Sequence, residues 1–417
     1  MKACPACARL YPDDGGFCPV DGQALRSATQ VPIQASDDER VGSLVSLRYQ
    51  IRRVVADGGM GRVYEALDMQ EKRRVALKML HADVASDQVA VQRFKREFEV
   101  SKDLPHDHII DVLDFQKEGG TYALLMEFLD GEELRMVLQR EKTITPGRVV
   151  RMVAQIALGL DAAHAKKFVH RDLKPDNIFL CGTREGDIVK ILDFGSVKDK
   201  SAGAKKLTML GTTIGSPYYM APEQAQGLET LDHRADVWAI AAIAYECLTG
   251  TVPFQGNNGP TILLSIMTKE PVPPSEAGKA KAAIPIPPTV DEVMEHAFVK
   301  NPAGRIASVG DLANRLGAAY ALPGDFRAWA TVPQHQLDEQ IKASLPSLMT
   351  PRVRAEAMAD PFASAAMDQA FQAAAPVPSG PIAPMGVPKA GLPPWLLLVG
   401  IGAVCLVIGA VVMVFLR

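Results

Sequence analysis

The spacing of apolar positions changes along this chain, and the changes divide it. From about Arg48, "YQIRRVV", "RVYEAL", "RVALKML" and "YALLMEFL" are short β-prone runs bounded by turn residues, a pattern that predicts four strands. Between the last two, "VAVQRFKREFEVSKDL" sets Val91, Phe94 and Phe98 at helical spacing. From about residue 146 helical periods dominate, as in "RVVRMVAQIALGLDAAHA" and "ADVWAIAAIAYECLTG". A strand-rich lobe followed by a helical one predicts an α+β fold over residues 48–321. After about Leu322 the periodicity thins into an Ala- and Pro-rich stretch, residues 322–394, that reads as a flexible tether with short helices open around Met358 and Phe371. Trp395 to Leu416 then runs 22 residues without a charge. As a helix it would span roughly 33 Å, enough for a bilayer core. This predicts a transmembrane helix over 395–416 acting as a C-terminal tail anchor, and with only Arg417 beyond it no exported domain is expected.

Composition changes the picture in two places. Lys+Arg 45 against Asp+Glu 48 leaves a formal net charge of -3, which argues against a nucleic-acid partner. The six cysteines are unevenly placed, with Cys4, Cys7 and Cys18 crowded at the start, a pattern unlike a disulfide framework and suited to a reducing cytoplasm. "MKACPACARLYPDD" lacks the apolar core of a signal peptide. Residues 1–25 contain "CPAC" and "CPVD", which look like two knuckles of a zinc ribbon with Asp21 where a fourth cysteine is expected. Structural Zn²⁺ takes four ligands, so the candidates are Cys4, Cys7, Cys18 and Asp21; a metal-free tail is the alternative. A polar linker, 26–47, follows.

The stretch "VVADGGMGRVYEA", Val54 to Ala66, suits a hairpin turn, a lid over phosphates or a degenerate phosphate loop, and by itself favours the hairpin. Downstream, "VALK" ends at Lys78 on a predicted strand, and Glu97 lies beside the Phe94/Phe98 stripe of the predicted helix, where a salt bridge to a facing lysine is geometrically reasonable. Then come "HRDLKPDN" at 170–177, "ILDFG" with Asp193, and "APE" at 221–223.

With these motifs in this order, residues 48–321 resemble the eukaryotic-type (Hanks-type) serine/threonine protein kinases, most closely their bacterial branch. The resemblance implies a two-lobed kinase fold, ATP and Mg²⁺ as cofactors, and protein substrates phosphorylated on Ser/Thr hydroxyls. It implies that Lys78 holds the α- and β-phosphates with Glu97 orienting it, that Asp172 accepts the substrate proton, and that Lys174 balances the γ-phosphate. Asn177 and Asp193 would be Mg²⁺ ligands. Val55, Ala56, Gly58, Gly59, Gly61 and Val63 would form the lid, with Met126 as gatekeeper and the adenine hinge at Glu127 to Leu129. Gly61 is followed by Arg62, which excludes a Walker-type loop. Two family glycines are absent: Ala56 stands in the lid and Ala241 after "DVW". The resemblance also implies a bridge from Arg305 to Glu223, and an activation-loop phosphate on Thr208, Thr212 or Thr213 received by Arg171. The whole reads as a single-pass cell-membrane kinase with a cytoplasmic catalytic domain and a homodimer open for autophosphorylation. The alternatives are a pseudokinase scaffold and a zinc-ribbon recruitment adaptor.

Overall fold

The structure is a computed structural model; it describes residues 2–5, 10–11, 13, 16–18, 23–28, 38–118, 120–196, 217–228 and 230–349. Strands β1 (Lys2–Ala3), β2 (Leu10–Tyr11) and β3 (Arg26–Ser27) form a small antiparallel sheet in the order β2-β1-β3. Strands β4 (Leu44–Val45), β5 (Tyr49–Asp57), β6 (Gly61–Asp68), β7 (Arg74–Leu80), β8 (Val112–Glu118) and β9 (Thr121–Glu127) form a six-stranded antiparallel sheet in the order β4-β5-β6-β7-β9-β8, and helix α1 (Gln88–Asp103) lies between β7 and β8 in sequence.

Strand β7 explains why this lobe assembles as it does. Alternate residues face opposite sides of a strand. Val75, Leu77 and Met79 enter one cluster with Tyr49, Ile51, Tyr64 and Leu125. Ala76 and Leu80 enter another, under α1, with Phe94, Leu124 and Met126. Both faces are covered, so the strand reads as a nearly unbroken apolar run. By alternation Lys78 shares the face of Ala76 and Leu80, a charged residue on the side covered by α1.

The second lobe begins with β10 (Glu132–Glu133), α2 (Leu134–Glu141) and α3 (Pro146–Ala165). Strands β11 (Ile178–Thr183) and β12 (Gly186–Ile191) form a hairpin that pairs with β10. Helices α4 (Pro222–Ala225), α5 (Arg234–Thr249), α6 (Gly259–Thr268), α7 (Pro274–Ala277), α8 (Pro288–Ala297) and α9 (Val309–Ala319) complete it. Helix α5 is apolar all round and buried almost throughout, as a central core helix should be. Trp238 on it stacks on Phe254 at 5.3 Å and meets Phe298 edge-on at 5.1 Å. Ala241 is completely buried there, so its methyl is part of the packing.

Several boundaries differ from expectation. The linker 26–47 is structured at both ends, because β3 closes the small N-terminal sheet and β4 adds to the large one. The tether expected from residue 322 gives way to helices α10 (Phe326–Trp329) and α11 (Gln334–Leu348). Phe326, Trp329, Leu337 and Ile341 are buried in the large core, and the Asp338 carboxylate accepts the Gly147 N–H at 2.9 Å and the Thr145 hydroxyl at 2.9 Å. Asp338 thereby caps the start of α3 from 191 residues away. Local periodicity carries no trace of such a long-range cap. Strand β8 was also missed: it is an edge strand whose "VLDFQKE" mixes polar residues into both faces.

Among the described residues no helix is long and apolar enough to cross a membrane, and Trp395–Leu416 lie outside those residues, as do Met358 and Phe371.

Candidate active site

The cleft-side face of β7 meets α1 at Lys78. Its Nζ donates to Glu97 Oε2 at 2.9 Å and lies 5.7 Å from the Phe94 ring centre. Both partners are largely buried, with side-chain exposures of 19% and 5%. Burial opposes the Lys78 charge, but Glu97 and Asp193 outweigh it and raise its pKa. Burial pushes Glu97 up to about 7, with Lys78 pulling the other way. Asp193 goes down: burial works against its charge, and Lys78 and His170 more than offset that. Lys78 is thus the cation shared by two carboxylates.

Two residues of the loop that follows α3 and its partner segment have left-handed backbone, Arg171 at φ 69° and Asp193 at φ 59°. Non-glycine residues there cost on the order of 1–3 kcal/mol, so something must hold them. The buried Asp236 on α5 does this for the first: its carboxylate accepts the His170 N–H at 2.8 Å, the Arg171 N–H at 2.9 Å and His164 Nε2 at 2.8 Å. Burial opposes the Asp236 charge, yet His164 and these amides hold its pKa down. Gln224 on α4 donates to the Arg171 carbonyl at 2.8 Å. For the second, Gly195 donates to Asp193 Oδ1 at 3.2 Å, the Leu192 carbonyl pairs with His170 Nε2 at 2.8 Å, and Phe194 packs edge-on against His170 at 4.7 Å.

On this fixed loop Lys174 Nζ donates to Asp172 Oδ2 at 2.9 Å, and Asn177 Nδ2 donates to the Asp172 carbonyl at 2.7 Å. The Asn177 amide oxygen and the ionised Asp193 carboxylate are hard oxygen donors, and that pair fits a Mg²⁺ ion. The expected bridge from Arg305 to Glu223 is present and buried, with Nη1–Oε1 at 2.8 Å and Nη2–Oε2 at 2.9 Å.

The glycine stretch turns out to be a hairpin and the edge of the cleft at once. Gly58 N–H donates to the Gly61 carbonyl at 3.1 Å, and β5 and β6 pair with Ala56 opposite Val63. Val55 bulges out of the pairing and is exposed. Ala56 lies in extended strand with no positive φ, so a methyl there carries no backbone strain. A Cβ on Gly61 would fall 2.2 Å from the Met79 carbonyl oxygen, whereas one on Gly59 meets nothing within 4 Å. Gly61 is therefore required by sheet packing, while Gly59 is open. Val63 packs beside Ala76 and Met126. The Glu127 backbone N–H is bound to the Asp111 carbonyl at 3.0 Å, and its carboxylate accepts Lys190 of β12 at 2.6 Å, tying the end of β9 to the second lobe.

Lys78, Glu97, Asp172, Lys174, Asn177 and Asp193 are thus organised as two adjoining clusters. Asp236, His164, His170 and Gln224 were missed as positioning groups; the signals at hand were the "DVW" containing Asp236 and the "HRDLKPDN" that begins at His170. Thr208, Thr212 and Thr213 lie outside the described residues, as do Cys7 and Asp21. Cys4 and Cys18 are buried, Cys18 Sγ lies 3.1 Å from the Tyr11 hydroxyl, and among the described residues no group of three or more His, Cys, Asp or Glu could hold a metal ion.

A strand lobe beside a helical lobe, with a lysine–glutamate pair near an Asp/Asn/Lys cluster, is the two-lobed arrangement of a protein kinase fold. Residues 49–314 match the protein kinase domain, and the chain belongs to that family. It is 39% identical over 275 residues to the serine/threonine-protein kinase pkn3 of Myxococcus xanthus, covering 65% of this chain and 50% of that one. It is 36% identical over 321 residues to the serine/threonine-protein kinase PknA of Mycobacterium tuberculosis, covering 76% and 70%. Among solved structures, the PknI kinase domain of Mycobacterium tuberculosis superposes with a TM-score of 0.53 at 26% identity, covering 67% of this chain and 97% of that one. The chain spans about half the length of the Myxococcus relative.

Proposed function

We propose that this protein is a serine/threonine protein kinase that transfers the γ-phosphoryl group of ATP to hydroxyls of protein substrates. The observation that carries this is the joint presence of the Lys78–Glu97 pair and the Asp172–Lys174–Asn177 cluster, each held by buried partners. Phosphoryl transfer needs positioning and charge neutralisation more than covalent chemistry. Lys78 would bind the α- and β-phosphates, and Glu97 keeps its ammonium aimed. Asp172 orients the acceptor hydroxyl and takes its proton, and Lys174 is placed to neutralise the γ-phosphate. Asp193 and Asn177 would hold Mg²⁺, which supplies charge neutralisation on the phosphate oxygens. Asp172→Asn and Lys78→Ala should each abolish ATP-dependent phosphorylation while leaving the protein folded; substantial labelling by either would overturn the reading.

The same reading extends to regulation and location. Among the described residues Arg171 Nε is buried without a hydrogen-bond partner, and burial lowers the Arg171 pKa, with Asp236 opposing and Arg96 adding a second cation. An anion there would relieve both, which supports phosphorylation of Thr208, Thr212 or Thr213, with autophosphorylation between two copies as the route. Phosphosite mapping of active protein tests this; an unphosphorylated segment in fully active enzyme refutes it. The charge-free run Trp395–Leu416 supports a membrane anchor, tested by carbonate-resistant membrane association that is lost on truncation before Trp395. The spacing of Cys4, Cys7, Cys18 and Asp21 supports one Zn²⁺ per chain, tested by metal content of the purified protein and of its Cys18→Ser variant. Ala56, the main argument for a pseudokinase, lies in unstrained strand, which leaves the catalytic reading in front.

A further inference from the structure

A cavity of about 420 Å³ opens beside the catalytic cluster, lined by Arg135, Lys174, Asp176, Tyr218, Tyr219 and Glu246. Lys174 is bonded to Asp172, so whatever enters this cavity lies next to the acceptor hydroxyl. Substrate protein is the occupant that must pass there, and a side chain neighbouring the acceptor residue is the part that fits the volume.

The charges in the wall pair among themselves. Arg135, at the start of α2, donates to Glu246 Oε1 at 3.2 Å and to the Tyr219 hydroxyl at 2.6 Å, and its Nε is 3.5 Å from Asp176 Oδ2. Tyr219 donates in turn to the second Glu246 oxygen at 2.5 Å. Glu246 is only 13% exposed, so its charge needs a nearby cation. Two acids thus line a subsite beside the reaction centre, and one arginine of the protein itself is bonded to or paired with both. A substrate arginine or lysine entering the cavity finds its counter-ions already paired, and pays desolvation without a partner.

We propose that Arg135 is a specificity-determining residue: it fills the cationic role in this subsite, so that the kinase takes substrates with a neutral side chain there and gains nothing from a basic one. The inference rests on the kinase reading above. Removing the guanidinium leaves Glu246 and Asp176 uncompensated, and the subsite then recruits a basic substrate residue in its place. Charge complementation of this kind is worth about tenfold or more in discrimination.

The test uses the full chain and a Ser/Thr peptide library in which each position around the acceptor is scanned, with labelled ATP. At the position where Arg135→Met gains a preference, the parent protein should show no more than about twofold preference for Arg or Lys. Arg135→Met should prefer Arg or Lys about tenfold at one position, Arg135→Lys should keep the parent profile, and Arg135→Met with Glu246→Gln should lose the gained preference. A purely structural role for Arg135 would slow all peptides alike and leave the profile unchanged; that result overturns the proposal, as does strong basic selection by the parent at that same position. Direct binding of an Arg-containing peptide to the same variants, read by fluorescence anisotropy, separates the two readings. Absent labelling with Arg135→Met still binding that peptide more tightly than the parent does strikes the kinase reading and upholds the subsite. Labelling intact with no change in binding or profile strikes the subsite alone.

Discussion

The loop around Asp172 and the hairpin around Gly58 face the same cleft but are built on opposite terms. The first is held by side chains far away in sequence: buried Asp236 accepts two of its backbone N–H groups, and half-buried Gln224 binds a carbonyl. The second is exposed from Val55 to Met60 and is closed by a backbone bond across its turn and by surface contacts: Asp57 pairs with Arg62 and His81, and His81 also reaches the Gly58 carbonyl at 2.9 Å from β7's far end. On the proposed function, the groups of the transfer step are fixed to the core, and the segment that would admit and release a nucleotide is held at the surface. Rigidity is distributed by function, and burial is the means.

The largest break in this contrast should come from Asp236→Ala. It strips the acceptor from the buried His170 N–H, the part-buried Arg171 N–H and His164, so stability should fall by about 3–5 kcal/mol with kcat falling at least about a hundredfold. Chemical denaturation and steady-state kinetics would check both. Gly61→Ala comes next, because its Cβ would collide with the Met79 carbonyl; a loss of about 1–3 kcal/mol is expected in the same denaturation experiment. A melting point unchanged by Gly61→Ala would show that the hairpin is free of the sheet.

The Lys78–Glu97 pair sharpens the comparison through pH. Glu97 has a folded pKa raised to about 7, so the folded protein binds a proton more tightly than the unfolded chain does. Stability from this group is full at low pH and is lost as pH rises through about 7. Activity runs the other way, since only ionised Glu97 aims Lys78. The kcat/KM for ATP should therefore fall as pH drops below about 7, and Glu97→Gln should lack that acid limb while being slower throughout.

Two smaller effects close the series. Asp338→Ala removes the remote cap of α3 and should cost about 1 kcal/mol of stability, with activity little changed. Ala56→Gly and Gly59→Ala should each alter the KM for ATP by less than about threefold, because neither position is strained or crowded. Complete inactivation by either would show that the hairpin has a narrower tolerance than its exposure suggests.

How far these features were legible in the sequence depends on the range of the interactions that make them. Lys78 and Glu97 could be placed on a strand and a helix from apolar spacing, and "HRDLKPDN" and "ILDFG" put the remaining groups into one site through the kinase resemblance that these short contiguous motifs carry. The sequence by itself determined the lobes, four strands of the large sheet with the helix beside them, and the identities of the six groups that meet at the cleft. Only the tertiary structure decided that Asp236 holds the loop, that Asp338 caps a helix 191 residues earlier, that α10 and α11 belong to the core, and that Arg135 neutralises Glu246. Each of these depends on a pairing between distant segments: a carboxylate looks the same in a sequence whether it faces water or a buried amide, and burial, which sets the strength of every such pair, comes into being only when the chain has folded.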